Sequence, residues 1–199
     1  MLLVNPPYTV WDASVPLPKT LENTTPSFGL CCLASVLREK GYKPKILEAG
    51  ALQLTLKQTL ACIIKERPQV VGFRASTISF NNAALLAKEI KEYDKNIITL
   101  IGGPHVTALP METIQDFPQF DAGIIGEGEE TFLEFLEAVN EKGISPADDI
   151  GRIKGLAFRH NGKARLAPKR PYIENLDTLP MPAWDLLEGF PERYQPPLM

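Results

Sequence analysis

Short runs of aliphatic and β-branched residues alternate along the first 142 residues with longer segments in which apolar residues recur at helical spacing. Alternation of this kind is typical of βαβ units that build a parallel sheet. The longer segments have the length expected of crossover helices. The predicted strands are Leu2–Val4, Lys45–Leu47, Val70–Phe73, Ile97–Ile101 and Ala122–Ile125.

Apolar residues at positions i, i+3, i+4 and i+7 predict four helices between and after these strands. Gly41 is placed to end the first helix, and Pro68 closes the second, because the residue before a proline disfavours helical backbone. Glu129 and Glu130 suit the positive end of the dipole of the last helix. The predicted helices run from about Ser27 to Lys40, from Thr55 to Glu66, from Ser79 or Asn81 to Tyr93, and from Glu129 to Asn140.

The pattern changes after residue 142. The runs Gly155–Arg159 and Lys163–Ala167 flank the pair Asn161-Gly162 and predict a β-hairpin, because Asn-Gly favours a turn with positive φ. From Pro168 onward prolines are frequent and no apolar period is sustained, which predicts an extended linker. The sequence therefore predicts an α/β domain over residues 1–142 and a β-hairpin with a proline-rich linker over residues 143–199.

Composition and charge exclude several classes of function. The 199 residues are 44% hydrophobic with a net charge of −3, and their scattered basic residues do not favour nucleic-acid binding. The apolar start ends at Asn5, and no run is long enough to span a membrane, so a cytoplasmic protein is predicted. Cys31, Cys32 and Cys62 match no zinc or iron–sulfur spacing, so they are predicted to be reduced thiols within helices.

Candidate binding residues follow the strands, because an open parallel sheet binds ligands at the carboxyl ends of its strands. The segment from Asn5 to Ser27 is far longer than a usual βα connection, and such loops are commonly functional or disordered. The hydroxyls of Ser76 and Thr77 are candidates to bond a polar ligand tail, and Ser79 is equally a candidate helix N-cap.

Glycines follow the fourth and fifth strands. Gly102 and Gly103 leave room for a backbone or a flat ligand, and Pro104 then directs the chain onward. His105 is a candidate metal ligand or acid–base group, with a loop hydrogen-bond donor as the simpler interpretation. Between Gly126 and Gly128, the carboxylate of Glu127 is predicted to accept hydrogen bonds from a ligand, with an acidic helix start as the alternative.

The standard catalytic and nucleotide-binding patterns are absent. The sequence contains no GxGxxG after its first strand, no GxxxxGKS/T, no GxSxG and no HExxH. Two histidines, His105 and His160, do not support a His-rich metal site or a Ser–His–Asp set. No catalytic residue and no protein metal ligand is predicted.

Five motifs stand together in one order along the chain. They are Asn5-Pro6-Pro7, Ser27-Phe28-Gly29-Leu30, Val71-Gly72-Phe73, Gly102-Gly103-Pro104-His105 and Gly126-Glu127-Gly128-Glu129. With them, the chain resembles the N-terminal cobalamin-binding domain of cobalamin-dependent radical SAM enzymes. The hairpin and the stretch Leu176–Asp185 resemble the segment that leads into the radical SAM barrel in that family, so the resemblance covers nearly the whole chain.

This resemblance implies a Rossmann-like, doubly wound sheet of five parallel strands in the order 2-1-3-4-5. The corrin would lie across the strand ends, and its nucleotide tail would lie beside the sheet. The full-length enzymes of the family use methylcobalamin, S-adenosylmethionine and an iron–sulfur cluster to methylate substrates or build rings. The implied partners are therefore cobalamin and a radical SAM domain in cis. By this resemblance the tail would be lined by Ser76, Thr77, Gly102 and Gly103, with Gly126, Glu127 and Gly128 nearby.

The sequence departs from related patterns in two respects. The first loop has no histidine in a DxHxxG motif, which implies cobalamin bound without a histidine under the cobalt, and Arg74 is a candidate for the lower face of the corrin. The CxxxCxxC motif of the iron–sulfur cluster is absent, which predicts a fragment of a longer enzyme or a free-standing carrier.

Other functions of the same fold class remain to be weighed, because the fold alone does not decide function. A receiver domain needs acidic residues where Asn5 and Arg74 stand, and a flavodoxin needs a phosphate loop where Pro6 and Pro7 stand. The remaining alternative is a non-catalytic α/β binding or docking domain that holds no corrinoid.

Overall fold

A mostly parallel sheet forms the centre of the molecule. The computed structural model describes residues 1–7, 25–142 and 150–194. Within these residues seven strands pair in the order β2-β1-β3-β4-β5-β6-β7. The strands are β1 (Leu2–Asn5), β2 (Lys45–Glu48), β3 (Val70–Arg74), β4 (Ile98–Gly102), β5 (Ala122–Ile124), β6 (Leu156–His160) and β7 (Lys163–Leu166).

Helices cover both faces of the sheet, because alternate side chains of each buried strand point to opposite faces. The helices are α1 (Phe28–Glu39), α2 (Leu56–Glu66), α3 (Phe80–Tyr93), α4 (Pro104–Ala108), α5 (Pro110–Asp116) and α6 (Glu129–Lys142). On one face α1 and α6 pack over Leu3, Leu100 and Ile124. On the other face the remaining helices pack over Val4 and Ile101.

The five parallel strands have the predicted order, and each lies within a residue or two of its predicted bounds. The predicted hairpin is also confirmed, with Asn161 at φ 49° and Gly162 at φ 75° in its turn. Its first strand pairs antiparallel with β5, with Gly123 opposite Ala157, so the hairpin extends the same sheet. Seven strands therefore form the sheet where five had been predicted.

Two short helices between β4 and β5 were not predicted. Each begins with a proline, Pro104 in α4 and Pro110 in α5. Proline suits the first turn of a helix because the backbone N–H that it lacks would have no partner there. Val106 and Ile114 from these helices are fully buried against the sheet. Both helices are too short for a hydrophobic period to reveal them in the sequence.

The C-terminal segment is not an extended linker as far as residue 194. Two 3₁₀ turns, Leu176–Thr178 and Trp184–Leu186, lie in this segment. The backbone N–H of Ala183 donates to the carbonyl oxygen of Cys31 in α1 at 3.1 Å, and the ring of Trp184 lies 5.9 Å from that of Phe28. The segment therefore packs back on the α/β domain.

Some predictions fall outside the described residues. They concern the long connection after β1, over residues 8–24, the boundary near residue 143, and the prolines at positions 196 and 197.

Cys31 and Cys32 lie in α1 and Cys62 lies in α2, all as free thiols. The described helices include none with the length and apolar content needed to cross a membrane.

Candidate functional site

A cleft of about 200 Å³ opens at the carboxyl ends of β3, β4 and β5, between α1 and α6. Aliphatic, aromatic and glycine residues make up most of its walls, and Arg74, Glu127 and Glu129 add charge. A cleft at this end of a parallel sheet is where doubly wound domains bind their ligands. Its lining comprises Leu3, Gly29, Leu30, Leu33, Gly72–Arg74, Leu100–Gly103, Ile124, Gly126–Glu129 and Phe132.

Missing side chains create the open space of the cleft. A Cβ atom placed at Gly29 would have no neighbour within 4 Å, and one at Gly102 would lie 3.8 Å from the Cβ of Ile124. Both positions therefore face room that a larger side chain would occupy. Deeper in the cleft, a Cβ at Gly72 would lie 3.1 Å from Leu3 Cδ2 and 3.4 Å from Phe132 Cζ, so this glycine permits close packing.

Gly103 has a different role from its neighbour Gly102. Its φ of 103° lies in the region that favours glycine, and a Cβ there would lie 2.8 Å from the carbonyl oxygen of Ala75. The residue that leaves room in the cleft is therefore Gly102, whereas Gly103 permits the close approach of two backbone segments. A substitution at Gly103 would strain the fold and cannot test ligand binding alone.

The turn after β5 forms one rim of the cleft. Gly126 has a φ of 74°, and its backbone N–H donates to Thr107 Oγ1 at 3.1 Å. The carboxylate of Glu127 is half-buried and accepts a hydrogen bond from the backbone N–H of Ile173 at 2.7 Å. Glu127 precedes α6, so it is not part of the helix start. It joins the cleft rim to the C-terminal segment.

Glu129, the first residue of α6, also lines the cleft. Burial raises the pKa of its carboxyl above the ordinary value, and the charges of Glu127 and Glu130 act in the same direction. Its Oε2 atom is buried, and the described residues supply no hydrogen-bond partner for it. A carboxyl group in this state takes up a proton more readily than an exposed one.

The other candidate residues do not line the cleft, and four of them contact one another in two pairs, Ser76 with Ser79 and Thr77 with His105. The backbone N–H of Ser76 donates to Ser79 Oγ at 3.1 Å. Ser79 occupies the N-cap position of α3, as the alternative interpretation expected, but its side chain makes no capping hydrogen bond. Thr77 Oγ1 lies 3.4 Å from Nδ1 of His105.

The ring of His105 stacks on that of Phe80, with centroids 3.8 Å apart and planes inclined by 23°. Burial lowers the pKa of His105. Pro104 is exposed at the start of α4. Of the candidate residues, Gly102, Gly103, Gly126, Glu127 and Gly128 line the cleft, whereas Ser76, Thr77, Ser79, Pro104 and His105 form this separate cluster next to it.

Residues 16–136, more than half of the chain, match the family described as the B12 binding domain. The chain belongs to the B12 binding domain family. The predicted family and its cofactor, cobalamin, are thereby confirmed. Among the residues that the structure describes, no cluster of three or more His, Cys, Asp or Glu side chains is arranged to hold a metal ion.

Curated relatives of this cobalamin-binding domain are longer than the chain. An uncharacterized methyltransferase of Pyrococcus horikoshii is 37% identical over 187 residues, which cover 94% of this chain and 38% of the relative. Cytidylyl-2-hydroxyethylphosphonate methyltransferase of Streptomyces wedmorensis is 30% identical over 225 residues, covering 92% and 40%. The chain therefore spans about two fifths of the length of these two relatives.

Solved structures share the fold. The cobalamin-dependent S-adenosylmethionine radical enzyme OxsB, with aqua-cobalamin and S-adenosylmethionine bound, superposes with a TM-score of 0.71 at 16% identity, covering 93% of this chain and 24% of that chain. The radical S-adenosylmethionine methyltransferase TsrM from Kitasatospora setae, with cobalamin and an iron–sulfur cluster bound, gives a TM-score of 0.65 at 20% identity, covering 90% and 30%. The likeness confirms the predicted Rossmann-like fold of the cobalamin-binding domain.

Sequence reasoning missed the α1 side of the cleft. Gly29, Leu30 and Leu33 form this wall, and Phe132 of α6 contributes to the opposite one. Glycine inside a helix or strand is the sequence signal that could have indicated part of the cleft lining. Gly72 lies within a strand and Gly29 near a helix start, where glycine often marks a close approach or a space.

Proposed function

We propose that the cleft between α1 and α6 holds the nucleotide tail of cobalamin, with the corrin across the carboxyl ends of the strands. The observation that carries this proposal is the open space facing Gly29 and Gly102, which lies at the ligand-binding end of the sheet. Gly102, Gly126, Glu127 and Gly128 would line the tail. Gly103 would support the same wall through its contact with Ala75.

The residues present fit the chemistry of this group. The base of the tail is flat and largely apolar, and the walls of the cleft include Leu30, Leu33 and Phe132. Ligand sites of this kind combine an apolar lining with a few polar groups that fix orientation. Glu129, whose buried Oε2 has no partner among the described residues, is available for a hydrogen bond with the sugar of the tail.

The serine and histidine cluster is assigned to the rim of the site. Ser76, Thr77, Ser79, Pro104 and His105 lie at the same end of the sheet as the cleft, in the segments that follow β3 and β4. Their contact with cobalamin remains a prediction. The hydroxyl of Thr77 and the ring of His105 are the groups best placed to meet polar substituents at the corrin edge, because neither is fully buried.

The proposal extends to the whole protein. When bound, cobalamin supplies a cobalt centre that can carry a methyl group. The relatives include methyltransferases, and this chain matches less than half of their length. The parent is therefore proposed to be a cytoplasmic radical SAM methyltransferase or related enzyme, with its iron–sulfur cluster and S-adenosylmethionine bound by a further domain in cis. A CxxxCxxC motif encoded in frame downstream of Met199 would support this part, and its absence there would contradict it.

The cleft assignment is tested by substituting Gly102 with leucine. The backbone at Gly102 is one that other residues adopt, and its Cβ would meet only ordinary contacts, so the fold should tolerate the change. The longer side chain should fill the cleft and lower cobalamin affinity by at least about tenfold. Glu89→Leu is the matched control, because it adds the same side chain on the exposed surface of α3.

Each protein is titrated with hydroxocobalamin and desalted, and the retained corrin absorbance is measured. Wild type and Glu89→Leu should retain cobalamin, while folded Gly102→Leu should not. Undiminished retention by Gly102→Leu would contradict the assignment of the tail to this cleft. A wild-type protein that retains no corrinoid would favour a non-catalytic docking domain instead.

A further inference from the structure

Glu48 is a buried carboxylate at the end of β2, outside the cleft. Only 3% of the residue is exposed. Its Oε2 accepts a hydrogen bond from Nδ2 of Asn5 at 2.8 Å, and its Oε1 accepts one from the backbone N–H of Ser27 at 3.1 Å. Both carboxylate oxygens are therefore used at once, and both partners are buried as well.

The two partners of Glu48 belong to different elements. Asn5 is the last residue of β1, and Ser27 is the N-cap residue of α1. Glu48 thus joins three elements, the ends of β1 and β2 and the start of α1. The side chain of Ser27 makes no capping hydrogen bond, so the contact of its backbone with Glu48 is an important restraint on the start of the helix.

The start of α1 is also a wall of the cleft. Gly29 and Leu30 follow Ser27 by two and three residues, and both line the cleft. Because a helix moves as a rigid unit over one turn, a displacement of Ser27 would displace this wall. Glu48 therefore contacts the start of the helix that forms this wall, although it does not line the cleft itself.

The surroundings of Glu48 make its ionised form costly. Burial raises the pKa of the Glu48 carboxyl, while hydrogen bonds from Asn5 and Ser27 and the charge of Arg74 act in the opposite direction. The Cys31 thiol and the Tyr194 phenol are also buried nearby, and the charge of Glu48 helps to raise the pKa of both. A buried carboxyl costs stability unless its hydrogen bonds compensate, so the two hydrogen bonds that Glu48 makes are the property to test.

We propose that Glu48 is a positioning residue for the cobalamin site, because it holds the start of α1 against the sheet and so sets the width of the cleft. This inference rests on the proposed function of the cleft. It assigns the role to the two hydrogen bonds that the Glu48 side chain makes with Asn5 and Ser27, and not to its charge.

Two substitutions separate these properties. Glu48→Ala removes both acceptors. Glu48→Gln removes the charge but retains an acceptor for Ser27, and its amide group can donate to Asn5 Oδ1 once the Asn5 amide turns over. That oxygen has no partner among the described residues. Thr59→Val is the matched control, since Thr59 is fully buried in α2 on the other face of the sheet and bonds the carbonyl oxygen of Thr55.

Hydroxocobalamin affinity is measured for each variant at a temperature where its unfolding curve shows it to be folded. Glu48→Ala should bind at least about tenfold more weakly than wild type, because both hydrogen bonds to the start of α1 and the end of β1 are lost. Glu48→Gln and Thr59→Val should bind within about threefold of wild type, a smaller change than the loss of a hydrogen bond to a charged group causes. Rescue by glutamine is the result that a loss of charge or of general stability would not produce.

Unchanged affinity in folded Glu48→Ala would overturn the inference while leaving the proposed function intact. Weak binding by Glu48→Gln equal to that of Glu48→Ala would show that the two hydrogen bonds without the charge do not suffice, and would overturn the inference. A wild-type protein without affinity would overturn the proposed function and this inference together. If Glu48→Ala does not fold, Ser27→Pro removes the N–H donor together with the Ser27 hydroxyl, at a φ of −74° that suits proline. Unchanged affinity there would equally overturn the inference.

Discussion

Two strand glycines on opposite faces of the sheet, Gly102 and Gly123, have opposite surroundings. On the face covered by α1 and α6, a Cβ at Gly102 would meet nothing closer than 3.8 Å. On the face covered by α4 and α5, a Cβ at Gly123 would lie 2.9 Å from Val106 Cγ2 and 3.3 Å from Ile114 Cδ1. One glycine faces an open cleft, and the other allows two short helices to pack closely on β5.

This difference shows that a glycine in a strand does not by itself indicate a ligand. The same residue type permits either close packing or open space, and the element opposite decides which. Val106 and Ile114 fill the space that Gly123 faces. In the cleft, by contrast, Gly29 of α1 contributes no side chain, and the space there stays open. The cleft therefore lies on the face where a glycine of the strand and a glycine of the covering helix both leave space.

The largest expected effect comes from placing valine at each of these two positions. Gly123→Val should lower the free energy of unfolding by about 1–3 kcal/mol, because the added atoms overlap with Val106 and Ile114. Gly102→Val should change stability by much less and weaken cobalamin binding. Urea unfolding and corrinoid titration of both variants provide the measurements. Equal destabilisation by the two variants would remove the distinction between the faces.

A smaller effect is expected from the contact of the C-terminal segment with α6. Arg170 bonds Glu130 at 2.8 Å and Glu134 at 2.6 Å, and its Nε donates to Thr131 Oγ1 at 2.8 Å. Arg170→Ala should lower the free energy of unfolding by about 1 kcal/mol, since the two glutamates are largely exposed. Urea denaturation measures the free energy of unfolding, with Arg152→Ala as a control. A loss of stability in Arg170→Ala no larger than in that control would show that the contacts of Arg170 with α6 do not stabilise the fold.

The smallest expected effect is a dependence of folding stability on pH that His105 causes. Burial lowers the pKa of His105 in the folded protein, so the unfolded chain binds its proton more readily. Stability should therefore fall as the pH decreases through the ordinary histidine pKa of 6.5 toward the lowered value. His105→Gln should reduce this dependence in thermal unfolding measured between pH 5 and 8. An unaltered pH profile would contradict the contribution of His105.

Local pattern predicted most of the sheet, because buried strands and crossover helices have distinct apolar periods. The helices α4 and α5 were missed, since each is shorter than two turns and begins with proline. The packing of Trp184 and Ala183 on α1 was also missed, because these contacts join residues far apart in the chain and leave no period in the sequence. Glu127 was predicted as a ligand-facing carboxylate, yet its hydrogen bond to Ile173 depends on the same distant segment.

The amino-acid sequence by itself determined the parallel order of elements, the hairpin turn at Asn161-Gly162 and the family to which the domain belongs. These properties depend on local periodicity, turn chemistry and short motifs, all of which a linear pattern contains. Only the tertiary structure decided that Gly102 leaves room while Gly103 and Gly123 permit close contact, and that Glu48 joins β1 to α1. The physical reason is that space and hydrogen-bond partners at a residue depend on the elements packed opposite it.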